Sequence, residues 1–200
     1  MSSKPRVPNS IPPTTQTPIV RLPLVPTPEA NIRGSIPIII VIEVIRIGRR
    51  RTLALRSAAL LTAYNNAATD SIKVDLQSGL LEVMSRGRQV PGGACGYMGA
   101  CGAAISTGIF MSVVTRNTPL STETWQLCNL MTARTLEQVA LNGGPRCCMR
   151  DSYLSILTAI DFVKEHLGVE MEKPEVKCSR SRINNQCIGK KCPFSPVKDN

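Results

Sequence analysis

Eight cysteines are the residues of this chain best suited to chemistry, and seven of them fall into three groups. Cys95 and Cys101 lie in a glycine run, with Gly93, Gly96, Gly99 and Gly102 at every third place. Cys147 and Cys148 are adjacent, flanked by Arg146, Arg150 and Asp151. Cys178, Cys187 and Cys192 sit in a polar C-terminal stretch able to close over a site. A thiolate is the nucleophilic and metal-binding form of cysteine, and helix starts and nearby cations favour it. The glycines leave the backbone free to wrap an anionic cluster and donate N–H bonds to its sulfurs. Arg146 and Arg150 push in the same direction, and Asp151 is placed to cap and orient a helix start. The commoner fate of a single cysteine is that of a small buried hydrophobe, and Cys128, mid-helix and without a cysteine near it, takes that reading.

The spacings C-x5-C, CC and C-x8-C-x4-C match no common metal template, since no C-x2-C pair occurs. A structural zinc would want four ligands in a closed tetrahedron, and an iron–sulfur cluster could draw four cysteines from the three groups. The cofactor expectation is therefore an iron–sulfur cluster or zinc, held by Cys95, Cys101, Cys147, Cys148, Cys187 and Cys192, with Cys178 as an additional ligand. A thiol oxidoreductase using Cys147 and Cys148 is the second reading, and a binding module with structural cysteines the third. His166, the single histidine, lies near a helix C-terminus and reads as a surface capping residue. The glycine run lacks both G-x-G-x-x-G and a G-K-[ST] ending, so a phosphate cradle is disfavoured.

The elements that must position these thiols read as helices. With three Phe, three Tyr and one Trp, the core has to be filled by aliphatic residues and Met, which favours close-packed helices. A first helix runs from Thr52 to about Asn66, with Leu60, Leu61 and Tyr64 as its apolar stripe. A second spans Ser71–Arg86 and a third begins within the glycine run and continues to about Arg116. Ser121 reads as the N-cap of a fourth, which carries Trp125, Leu127, Leu130 and Met131 and stops at Gly143-Gly144-Pro145. A fifth extends from about Arg150 to His166, ended by Gly168. The expected fold is all-α, a compact bundle of about five helices with a cysteine-bearing tail. Residues 52–195 form this domain. Residues 1–51 read as a separate, disordered segment, because nine prolines crowd the first 37 positions. One weak strand is expected at Ile38–Ile47.

A net charge of +10 raises nucleic acid as a partner, but no aromatic residues are interleaved with the basic groups as base stacking requires. Nucleic-acid binding is disfavoured, and a protein partner is left open. No secretory signal or bilayer-length apolar run is evident, so a cytoplasmic protein without a membrane span is expected, where reduced cysteines serve metals or redox work.

The stretches Gly92-Gly-Ala-Cys95-Gly-Tyr-Met-Gly-Ala-Cys101-Gly-Ala-Ala-Ile-Ser-Thr-Gly-Ile-Phe110, Gly143-Gly-Pro-Arg-Cys-Cys-Met-Arg-Asp-Ser-Tyr153 and Cys187-x4-Cys192-Pro-Phe194 resemble a cysteine-rich family of anaerobic microbes known only as a domain of unknown function. The likeness covers about Leu60 to Phe194. It implies a shared role for six cysteines, and an association with methyltransferase-like domains that adds a methyl-transfer accessory to the second reading. Members of that family carry a histidine-rich motif before the stretch matching Leu60–Tyr64, where this chain reads Arg49-Arg-Arg-Thr-Leu-Ala-Leu-Arg56. That departure, with the abrupt change from Pro-rich to helical sequence, motivates the hypothesis that Met1 to about Leu55 is a replaced or out-of-frame start and that the site is divergent. Translating the gene in all three frames around Ser57 tests it: a His-rich motif in another frame is expected, and its absence removes the support.

Overall fold

The computed structural model describes residues 52–196. The Pro-rich segment, the strand at Ile38–Ile47 and all but the last few residues of the proposed replaced start lie outside the described residues. Six helices follow one another: α1 (Thr52–Ala67), α2 (Leu76–Arg88), α3 (Ala94–Tyr97), α4 (Gly102–Val114), α5 (Glu123–Leu141) and α6 (Cys148–Leu167). A 3-10 turn at Gly189–Lys191 is the one further helical element, and no strand occurs among the described residues.

The bundle is organised around α4, which packs against α1, α2, α5 and α6. Its sequence, Gly-Ala-Ala-Ile-Ser-Thr-Gly-Ile-Phe-Met-Ser-Val-Val, contains no charge, as a helix surrounded by others requires. Phe110 and Met111 are wholly buried beside Leu60, Leu61, Met131 and Phe162. The hydroxyls of α4 do not orphan any polar group there. Ser106 and Thr107 bond the carbonyls of Ala103 and Ala104, the i−3 pattern by which such side chains satisfy themselves in a helix. Ser57 of α1 donates to the Ser106 carbonyl at 2.7 Å, and Thr107 meets Thr135 of α5 at 3.2 Å.

Several local boundaries depart from the sequence reading. The second helix starts at Leu76, five residues later than Ser71, because the Asp75 carboxylate accepts from the Ser78 N–H at 2.9 Å and caps it. The preceding turn is held instead by Asn65, whose amide bonds both the carbonyl and the N–H of Val74. The helix expected from the glycine run does begin within it, at Gly102 as α4, but the run first forms the single turn α3 and a break at Gly99 (φ 64°). Ser121 is not an N-cap, since its hydroxyl is engaged by the Thr118 N–H and α5 begins after Thr122. Trp125, named in the apolar stripe of the fourth helix, is exposed, and so is Leu81 of α2. His166 is no simple surface cap, for its ring packs on Phe162 with centroids 4.1 Å apart. Gly168, at φ 66°, ends α6 as expected.

Gly108 permits the closest approach in the core. A Cβ there would stand 2.1 Å from Thr132 Oγ1 and 3.4 Å from the Cys128 carbonyl of α5. Gly108→Ala is expected to destabilise the domain by about 1–3 kcal/mol through overpacking. Adding Thr132→Ala should recover part of that loss, so urea unfolding of both single variants and the double reads the coupling. Strictly additive effects would contradict this packing.

Candidate thiolate site

The site is assembled at the first turn of α6 by buried charge. Arg56 lies on the face of α1 that also presents Leu60 and Tyr64, so the helix carries it inward. Its Nε donates to Ser152 Oγ at 2.7 Å, and its guanidinium reaches the Cys148 carbonyl at 3.4 Å. Ser152 also bonds that carbonyl. Arg150, 3% exposed, donates to the carbonyls of Gly143 and Pro145 at 2.5 and 3.1 Å, and so fixes the turn between α5 and α6. Asp151 is buried beside it, with Oδ1 3.6 Å from Arg150 Nε. Neither of those two atoms has a hydrogen-bond partner.

The cysteines divide around this turn. Cys95 and Cys101 face an open cleft of about 900 Å³ together with Gly93, Gly96, Gly99, Arg146, Arg150 and Asp151, while Leu136, Glu137, Val139 and Ala140 of α5 form its other wall. Gly102 starts α4 and does not line the cleft. Cys101 is the N-cap of α4, and its Sγ lies 3.8 Å from Asp151 Oδ2. Cys148, exposed, belongs electrostatically to this side: Arg146 is raised above its ordinary pKa, first by Cys148 and then by a hydrogen bond to Cys95.

Cys147, the N-cap of α6, turns instead towards the tail. Its sulfur accepts from the Asn184 amide at 3.6 Å, and the Asn184 backbone carbonyl accepts from the Cys187 N–H at 2.9 Å. Cys178 receives the Arg180 N–H and Cys187 the Gly189 N–H, both at 3.4 Å. The tail is anchored by Phe194, buried edge-on against Tyr153 with centroids 5.1 Å apart, and by the Cys178 N–H to the Phe194 carbonyl.

Electrostatics modify the expectation that helix starts and cations lower every thiol. Burial is the largest influence on Cys101 and pushes it up, against the N–H groups of Ala103 and Ala104 and against Arg56; Asp151 pushes it further up. Burial likewise raises Cys192, opposed by the Phe194 N–H and Arg150. Asp151 is itself raised by burial, with Arg150 and Arg56 pulling it back. Arg56 is lowered by its own burial. Cys128 lies in the core near Thr115, as its lone position implied. Among the described residues, no three His, Cys, Asp or Glu side chains are arranged, as they stand, to hold a metal ion.

Three contributors escaped the sequence reading. Arg56 follows closely on the run Arg49-Arg50-Arg51 in the sequence, although an arginine in register with Leu60 and Tyr64 signals a buried cation. Asn184 and Glu137 had no local pattern to betray them.

An all-helical domain with cysteine-lined turns at the start of one helix is thus the class that the fold defines. The chain belongs to a family of unknown function, DUF5714, which matches residues 39–195 and so begins ahead of α1. No curated protein matches the chain, and no solved structure does. No helix among the described residues is long and apolar enough to cross a membrane.

The burial pattern predicts an order of thiol reactivity in metal-free protein. Exposed Cys148 should be alkylated by iodoacetamide first and core Cys128 last, with half-buried Cys101 slower than Cys148 because desolvation raises its thiol pKa. Time-resolved mass spectrometry of the labelled peptides reads the order. Equal rates at Cys101 and Cys148 would contradict the packing of α4 against α6.

Proposed function

We propose that this protein binds a metal ion or an iron–sulfur cluster through cysteine thiolates and uses it in a redox role. The observation that carries the reading is the gathering of cysteines around the first turn of α6. Cys95 and Cys101 share a cleft with Arg146, Arg150 and Asp151, while Cys147 is bridged by Asn184 to the tail cysteines. Backbone N–H groups of Arg180 and Gly189 are aimed at the sulfurs of Cys178 and Cys187. Buried Arg56 and Arg150 supply positive charge that a thiolate-bound group would offset. Ligation requires the sulfurs to draw together from their present arrangement, which the irregular tail and the glycine run can accommodate.

The likeness to proteins of anaerobic microbes and the abundance of thiols suit a reducing, cytoplasmic setting. The rival reading, a thiol oxidoreductase or methyl-transfer accessory, rests on the same cleft, which Cys95 lines together with Arg146. It requires turnover with a dithiol or methyl donor in metal-free protein.

Purification without oxygen, followed by metal and acid-labile sulfide analysis with a visible spectrum, separates these. Iron with sulfide establishes a cluster, and zinc alone a structural or Lewis-acid site. A folded sample with no metal sinks the proposal.

A further inference from the structure

We infer that the apolar run Ile38–Ile47 of this same chain docks on the uncovered flank of α2 formed by Leu80, Leu81 and Met84, and so completes the helical domain. The inference goes beyond the thiolate reading and does not depend on it.

The first ground is α2 itself. Its inward face is Gly79, Val83 and Gly87, all buried. The two glycines let the helix lie close on α1: a Cβ at Gly79 would stand 2.7 Å from Leu61 Cδ2, and one at Gly87 3.1 Å from the Ala54 nitrogen. Leu80, Met84 and Leu81 follow Val83 in that order round the helix, so the apolar sector continues past the contacts that α2 makes with α1 and α4. Burial falls off along it. Val83 is wholly buried, Leu80 half-buried, Met84 39% exposed and Leu81 64% exposed. Leu76, one turn before Leu80, extends the same flank at 36% exposed. Single exposed leucines are ordinary on a protein surface, whereas adjoining apolar residues on one helix flank mark a contact surface.

The second ground is the composition of the run. Eight of its ten residues are Ile or Val, broken only by Glu43 and Arg46, so it gains by leaving water for an apolar face within reach. It is too short for the alternative of a bilayer, which takes about 20 apolar residues. The family match begins at residue 39 and so takes in nearly all of the run, while the Pro-rich residues ahead of it fall outside. The inference accordingly treats residues 39–51 as native to the domain, against a replaced start.

The third ground is where the run joins the bundle. Only Gly48-Arg49-Arg50-Arg51 separate Ile47 from Thr52, the first residue of α1. The first turn of α1 lies against the last turn of α2, since Ala54 is what a Gly87 side chain would strike. The run therefore enters beside one end of the uncovered flank. Four residues reach up to about 14 Å, and Leu76 to Met84 occupies about 12 Å of helix axis, so ten residues suffice to follow the flank whether extended or helical. A second copy carries the same run, but so short a tether gives the chain's own run the higher local concentration.

Photocrosslinking and methionine footprinting of the full chain test the inference. A benzophenone amino acid incorporated in place of Leu81 should couple to the 38–47 peptide. In a mixture of ordinary and isotope-labelled chains, each coupled product should carry one label only. In the unsubstituted chain, hydrogen peroxide should oxidise Met84 several-fold more slowly than exposed Met98, with buried Met111 and Met131 as the protected reference. Ile40→Asp combined with Val41→Asp, which breaks either face of the run, should bring Met84 towards the rate of Met98 and keep helical circular dichroism. Products that join two labels would assign the flank to a second copy and overturn the inference. Crosslinks that miss 38–47 would overturn it too, as would Met84 oxidised equally fast in wild type and double variant. Should the double variant not fold, the crosslinked peptides decide alone.

Discussion

The structure depends on charge buried beneath the first turn of α6. Arg56, Arg150 and Asp151 are all withdrawn from water, and burying charge is costly unless each group finds partners. Arg56 obtains Ser152 and the Cys148 carbonyl, and Arg150 obtains the carbonyls of Gly143 and Pro145. These bonds tie α1, the α5–α6 turn and α6 to one another, so the positions of Cys147 and Cys148 follow from satisfying the arginines. Removing one member would strand the others, which makes the cluster a determinant of geometry more than a source of stability. The unpartnered Arg150 Nε and Asp151 Oδ1 are the one incomplete part of this network, and they lie at the border of the cysteine-lined cleft.

The uncharged α4 makes this arrangement attainable. Its small residues allow α1 and α5 to approach closely, with Gly108 against the Thr132 hydroxyl and Ser106 against Ser57. That closeness brings Arg56 of α1 within reach of α6 and sets Cys101, the N-cap of α4, beside Asp151. The same burial that fixes Cys101 raises its thiol pKa. Helix-start placement alone therefore does not make a thiolate, because desolvation competes with the N–H groups and can outweigh them.

Much of the fold was legible because its signals are local. Apolar spacing in Leu60, Leu61 and Tyr64, the turn at Gly143-Gly144-Pro145 and the terminator Gly168 each act within a few residues, and the all-helical class followed from them. Boundaries set by side-chain bonds were not legible in the same way. Asp75 capping α2 competes with Ser71, and the engagement of Ser121 by the Thr118 N–H depends on how one turn closes. Leu81 and Trp125 are exposed for a similar reason, since helical periodicity marks a face but not whether another element covers it.

By itself the sequence determined the helical class, the concentration of cysteines in turns, and the placement of Cys101 and Cys147 at helix starts, all consequences of local backbone preference and spacing. Only the tertiary structure decided which thiols are neighbours. It separated adjacent Cys147 and Cys148 into different surroundings, joined Cys147 through Asn184 to a tail tens of residues away, and turned Arg56 from a member of a basic run into a buried partner of α6. The physical reason is that burial, and the hydrogen bonds that burial demands, are set by which elements pack together, and no local pattern in the chain encodes that pairing.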